Sequence, residues 1–200
     1  TAPPLMPDDS ALARRQARAW ADETGARLDV ARRMYAWRLG EVLPHRDIAV
    51  LRGIEGARMK ETYRLVAARF DVAWSGRRYD RAHPDAADLP NQAINHAASA
   101  LEAAAAIAVA ATATLPQLGF IHEDSGESFV LDIADLFRDS VTLPVAFRAA
   151  REAGRRADLS IERVTRRLAG AAIQQEGVIG TMIERIKALF APPEETPPCP

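Results

Sequence analysis

Apolar positions recur along this chain at helical spacing, and no run of alternating β-branched residues is long enough to make a strand. The first block of pattern runs from Ser10 to about Gly40 and reads as two helices, or one interrupted near Thr24–Gly25, with Pro44 closing it. Asp47 is placed to cap the next helix, which runs to about Phe70. At 100° per residue its apolar arc holds Ile48, Leu51, Ile54, Met59, Tyr63, Leu65, Val66 and Phe70. Glu55 falls inside that arc, on the line Leu51–Glu55–Met59. A carboxylate there has to be protonated, paired or bound to a cation, because an unpaired buried charge is very costly. Gly53 and Gly56 flank it, each weakening the helix by roughly 1 kcal/mol relative to alanine and each allowing close approach to the backbone.

The stretch "SGRRYD" (75–80) reads as a turn and 81–89 as an irregular loop. Pro90 suits the first turn of a long helix reaching about Thr114, with eleven alanines between residues 97 and 113 and Pro116 beyond its end. Small side chains allow close helix packing, so this is the expected central helix. A loop carrying His122 follows, then a helix over Ser128–Arg138 whose buried face is Phe129, Ile133, Leu136 and Phe137. Asp132 borders that face and Asp135 lies about 60° further round. Three more helices are expected near 144–153, 159–174 and 177–190. The expected organisation is a flexible lead (1–9), an all-α, multi-helix domain (10–190) around a central Ala-rich helix, and a Pro-rich disordered tail (191–200), with no internal repeat.

Two hundred residues, 48% of them hydrophobic, suffice for one domain with a real core. The start "TAPPLMPDD" lacks the basic and apolar regions of a signal peptide, and the longest apolar run, Ala103–Ala111, falls short of the ~20 residues a bilayer requires. With one cysteine, Cys199, no disulfide can form within the chain. These features lead to the expectation of a soluble cytoplasmic protein without a membrane partner. The basic residues are almost all arginine, with lysine only at Lys60 and Lys187. Net charge is −1, but its distribution is uneven. Residues 46–81 carry nine Lys/Arg against five acids, residues 82–135 carry eight acids and no Lys/Arg, and residues 138–187 carry ten basics against six acids. An acidic block between basic ones suits cations held beside a phosphate-binding surface; ordinary solvated faces would give the same count.

Glu55, His122 and Asp135 could form one carboxylate–imidazole–carboxylate set. Such a set suits Mg²⁺ or Mn²⁺ and phosphoryl transfer, with Arg52, Arg58 and Arg138 near enough in sequence to neutralise phosphates. On pattern alone, His122 could equally be a surface or capping histidine and the Asp132/Asp135 pair a solvated helix edge. A zinc site is not indicated, since there is no Cys/His cluster and no His-Glu-x-x-His. There is no P-loop, no Gly-rich dinucleotide fingerprint and no Gly-x-Ser-x-Gly elbow, although spacing leaves Ser-His-Asp catalysis open.

Four stretches together, "LRGIEGARMKETY" (51–63), "WSGRRYD" (74–80), "NQAINHAASAL" (91–101) and "LGFIHEDSGESFVLDIADLFR" (118–138), resemble the CRISPR spacer-acquisition integrase family, Cas1, in its type I-E branch. They come in the family's order and spacing and span about Arg33 to Ala150. The resemblance implies a helical catalytic domain that is a divalent-metal-dependent DNA endonuclease/integrase. The family's metal-binding glutamate falls on Glu55, its histidine on His122 and its aspartate on Asp135, with Asp132 in a supporting position. Tyr79 matches a tyrosine near the bound DNA end, Arg77 and Arg78 are implied phosphate contacts, and Arg138 is basic where the family is.

The implied reaction is transesterification, in which a spacer 3′-hydroxyl attacks a phosphodiester at the edge of a CRISPR repeat, once on each strand. The implied partners are double-stranded DNA (spacer precursor and repeat), a second copy of the full-length protein, and a dimer of the smaller protein Cas2. Family members begin with a β-rich domain that nothing here resembles. With Thr1 as its first residue, the chain is expected to be the C-terminal part alone, retaining the metal site but not that domain's dimer and DNA contacts. Two other readings remain at this level. A non-catalytic helical DNA-binding or assembly module from an inactivated relative would leave the three residues apart or paired with arginines. A helical enzyme with Glu55 as general base would enclose it in an apolar pocket.

Overall fold

Residues 7–22, 25–78, 87–123, 125–156 and 158–191 are described in a computed structural model of the chain, and all regular structure among them is helical. At the centre is α4 (Leu89–Ala111), packed against α5 (Ser128–Asp135), α6 (Leu143–Arg155), α7 (Ile161–Gln175) and α8 (Val178–Leu189). The Asp88 carboxylate caps α4 by accepting from Asn91 N at 3.0 Å, and Pro90 occupies its first turn. Ala93, Ala97, Ala104, Ala105 and Ala108 are buried on it, small enough for several helices to approach at once. By length and composition α4 could cross a bilayer, the one such helix among the described residues, despite its short continuous apolar run; in this fold it is the core helix. It stops at Ala111 rather than about Thr114, because the Thr112 hydroxyl bonds back to Ala108 O and Val109 O and Ala113 turns to positive φ.

Three helices precede it. The first, α1 (Pro7–Ala21), begins three residues before the expected Ser10, so the expected lead shortens; residues 1–6 lie outside the described set, as does nearly all of the expected tail. A break at Gly25 separates it from α2 (Ala26–Leu39), which ends on Gly40 in the left-handed conformation that glycine adopts without strain, well before Pro44. Asp47 caps α3 (Ile48–Arg69), its side chain accepting from Ala49 N at 2.7 Å. Leu51, Met59, Tyr63 and Ala67 form the buried stripe of α3. Leu65, expected on that stripe, is 54% exposed, being turned about 200° from Tyr63. Side chains added at Gly53 and Gly56 would meet nothing within 4 Å, so that face of α3 is open. Tyr63 stacks on Trp74 at 5.2 Å, and Trp74 meets the edge of Phe147 at 5.3 Å, tying the irregular segment after α3 to α6.

The expected helix over Ser128–Arg138 is shorter than its apolar pattern. α5 stops at Asp135, and residues Arg138–Thr142 form a π-helical turn leading into α6. Pro144 explains the widening: it has no N–H to give the Ser140 carbonyl, and its ring would clash there in a continuous α-helix. The loop before α5 is pinned from the far side. Gln16 of α1, fully buried, donates to Leu115 O (2.9 Å) and Leu118 O (3.2 Å) and accepts from Leu115 N (2.6 Å). At Gly119 the chain folds back so tightly that a Cβ would overlap the His122 carbonyl oxygen and Ser128.

Candidate active site

The fold-back at Gly119 lays residues 120–122 over α5, and Asp132 is buried beneath them rather than bordering the face. Its carboxylate is 1% exposed and accepts from Phe120 N (2.6 Å), Ile121 N (3.2 Å) and His122 N (2.9 Å). His122 Nδ1 completes the set at 2.8 Å. The partner at that distance is a carboxylate, which can only accept, so Nδ1 is assigned the proton and Nε2 keeps its lone pair in the neutral ring. The hydrogen bond to Asp132 holds the His122 pKa above the ordinary histidine value; burial opposes this, and the charge of Asp135 adds to it.

His122 Nε2 faces Asp135, 3.8 Å from its Oδ2. Asp135 ends α5, and its other oxygen pairs with Arg138 of the π-helical turn. Glu55 comes from α3. Between the two carboxylates lies the guanidinium of Arg38, from the last turn of α2, with Nη2 2.7 Å from Glu55 Oε1 and Nη1 3.1 Å from Asp135 Oδ2. Glu55 is therefore paired, as its place on the Leu51–Met59 line demanded. These groups line an open cleft of about 550 Å³ together with Tyr35, Arg52 and Glu123. Arg52 donates to Ile121 O at 3.0 Å, stitching α3 to the His122 loop.

Of the residues singled out from the sequence, Glu55, His122, Asp135, Arg52 and Arg138 meet at this cleft, with Asp132 behind it. Arg58 is exposed and paired with Glu41. Arg77 donates to Asn91 Oδ1 (3.1 Å) and Asn95 Oδ1 (2.6 Å), and the Arg78 backbone N–H also bonds Asn91 Oδ1, so this segment docks on the start of α4 and not on the cleft. Tyr79 lies outside the described residues. As the side chains lie, no three His, Cys, Asp or Glu groups among the described residues are close enough to share one ion. In kind, the donors fit a hard divalent cation: two carboxylates, and an imidazole whose other nitrogen is anchored to a buried carboxylate.

Three groups at the site went unread in the sequence. Arg38 looks like an ordinary cation in the last turn of a helix. Tyr35, one turn earlier, is buried with its hydroxyl unpartnered among the described residues. Glu102 of α4 reaches the back of the site beside His122, Asp135 and Arg138, looking in sequence like a lone polar break in an alanine run. Burial raises the Glu102 pKa, and the charges of Asp135 and Glu127 raise it further. A carboxyl whose folded pKa is raised contributes stability below its unfolded pKa and loses it as pH rises through the folded value. Glu102→Gln should therefore raise the melting temperature of the metal-free protein by about 2 °C at pH 8, with the gain vanishing towards pH 4. Thermal melts across that range check it; a gain independent of pH would remove ionisation as the cause.

A model of the family "CRISPR associated protein Cas1" matches residues 8–175 of the chain. CRISPR-associated endonuclease Cas1 2 of Thermus thermophilus is 39% identical over 188 residues, covering 92% of this chain and 56% of that protein. CRISPR-associated endonuclease Cas1 of Escherichia coli is 36% identical over 186 residues, covering 92% and 59%. A crystal structure of TtCas1 in complex with DNA superposes with a TM-score of 0.82 at 38% identity, covering 90% of this chain and 66% of that one. The chain thus spans a little over half the length of these curated relatives.

Proposed function

Because this chain belongs to the Cas1 family, we propose that it is the helical catalytic part of a divalent-metal-dependent DNA endonuclease/integrase that inserts new spacers into a CRISPR array. The observation that carries the reading is the meeting of Glu55, Asp135 and the free nitrogen of His122 in an open cleft lined by Arg38, Arg52 and Arg138. The cleft is open, with three arginines facing three carboxylates, rather than an enclosed apolar pocket, which disfavours Glu55 as an isolated general base.

In the proposed reaction a DNA 3′-hydroxyl forms a new bond to phosphorus at the repeat edge. The bond from phosphorus to the old 3′-oxygen breaks, the attacking hydroxyl gives its proton to water and the departing oxygen takes one up. Mg²⁺ or Mn²⁺, held by Glu55, Asp135 and His122, would stabilise charge developing at phosphorus and lower the pKa of the attacking hydroxyl. Asp132 acts as a positioning residue, fixing the ring so that Nε2 faces the cleft. Arg52 and Arg138 bind phosphate oxygens at the cleft. Arg58, Arg77 and Arg78 extend the DNA contact along the strand away from it, and Tyr79 contacts the bound DNA end. A second copy of the protein, Cas2 and double-stranded DNA are the proposed partners, and the cytoplasm the proposed location.

A second reading has one observation in its favour: both carboxylates are paired with arginines, as a non-catalytic DNA-binding or assembly module would have them. Mn²⁺ anomalous diffraction separates the two. A soaked crystal should show a peak among Glu55, His122 and Asp135 that is missing from a Glu55→Ala crystal. The arginine pairs persisting at saturating Mn²⁺, with no peak, would favour the module.

A further inference from the structure

Glu55 and Asp135 reach the cleft from α3 and α5, and the cation between them comes from a third helix, α2. The Arg38 side chain is 5% exposed. Nη1 hydrogen-bonds Asp135 Oδ2, but Nε has no hydrogen-bond partner among the described residues, and Nη2 is held to Glu55 by charge without a well-aimed hydrogen bond. A guanidinium that has given up its water and left donors unused is there for its charge, since desolvation is otherwise uncompensated. Asp135 Oδ2, the oxygen that receives Nη1, is the same oxygen that faces His122 Nε2.

We propose that Arg38 is a resident counter-ion and positioning residue, which holds Glu55 and Asp135 at one locus without metal and surrenders that place when a divalent ion loads. This inference rests on the metal-dependent reading above. Without a cation the two carboxylates would repel each other and splay. With Arg38 in place, one positive charge contacts both. A divalent ion would bind oxygens of the same two groups, and two cations cannot share them closely in a half-buried cleft without strong repulsion. The work of displacing Arg38 therefore lowers metal affinity. It also excludes monovalent ions, which bring no more charge than the guanidinium and no second hydrogen bond. Selectivity for a divalent ion thus arises from a competitor built into the chain.

The test is Mn²⁺ binding to the 200-residue chain, read from the free-ion electron paramagnetic resonance signal, with melting temperatures in chelator. Arg38→Gln should bind Mn²⁺ at least tenfold more tightly and melt lower without metal. Arg38→Lys, which keeps the charge, should bind within about threefold of the parent. Unchanged or weaker binding by Arg38→Gln overturns the proposal while leaving the metal site standing, provided the parent binds and Glu55→Ala does not. Mn²⁺ binding by neither the parent nor Arg38→Gln overturns both. If Arg38→Gln does not fold, the parent alone decides: saturating Mg²⁺ should shift the Arg38 Nε–H resonance and speed its solvent exchange, and an unmoved resonance overturns the proposal.

Discussion

Replacing Glu55 by glutamine should lower strand transfer by at least ~10³-fold while changing DNA affinity by less than about threefold. Glutamine keeps the shape of the side chain and an oxygen that can face Arg38, so the helix and the cleft survive. What it loses is the negative charge, which would hold a divalent ion and, through it, help stabilise the charge on phosphorus. Electrostatic groups at such centres typically contribute several kcal/mol to the barrier, or two to three decades in rate apiece, and a lost metal ligand costs more than one such group. In the proposed reading DNA affinity comes from arginines contacting phosphates, and a carboxylate among them opposes binding if anything, so the affinity should hold. The measurement is joined product on a repeat-containing duplex in the reconstituted reaction, beside a binding isotherm at two salt concentrations. The salt slope should be that of the parent. Parallel loss of binding and joining would make Glu55 a structural partner of Arg38 and favour the non-catalytic module. Stability offers a control: the Arg38–Glu55 pair is largely buried, so its weakening should appear as a modest fall in melting temperature.

Glu55 was legible because its signal is local. A charged residue between Leu51 and Met59 on one helical line contradicts the pattern around it, and only a partner resolves the contradiction. The helix starts were legible for the same reason: Asp47 and Pro90 act within a turn of themselves. The ends of α4 and α5 were not. Thr112 ends α4 by hydroxyl bonds that a sequence pattern does not distinguish from a mid-helix threonine, and Pro144 acts on α5 across a whole π turn. The burial of Asp132 depends on a fold-back at Gly119, which Gln16 of a distant helix holds in place. Arg38 was the least legible of all. Its partners come from α3 and α5, and an arginine in the last turn of a helix needs no partner to be satisfied. Residue chemistry offered Glu55, His122 and Asp135 as one possible set and the family resemblance singled it out, but the cation between the carboxylates belongs to three-dimensional packing.

Asp132→Ala should lower stability by about 4 kcal/mol, more than any substitution of a residue facing the cleft. Three backbone N–H groups and one imidazole N–H converge on a carboxylate that is 1% exposed, so its removal leaves buried donors with nothing to accept from them. Each such donor costs roughly 1–3 kcal/mol, and partial rearrangement of the loop recovers some of the sum. In a chain of this size that corresponds to a fall of about 10 °C in melting temperature. Asp132→Asn should fall between alanine and the parent, because its amide replaces only one of the two accepting oxygens. His122→Ala is the control, since it removes the ring but leaves the backbone donors satisfied, and should cost about 1 kcal/mol. The two alanine variants should thus separate in thermal melts yet lose strand transfer alike, one by losing the imidazole and the other by losing what orients it. If Asp132→Ala melted within ~2 °C of the parent, the carboxylate would not be what holds residues 120–122 over α5, and the orientation of His122 would need another source.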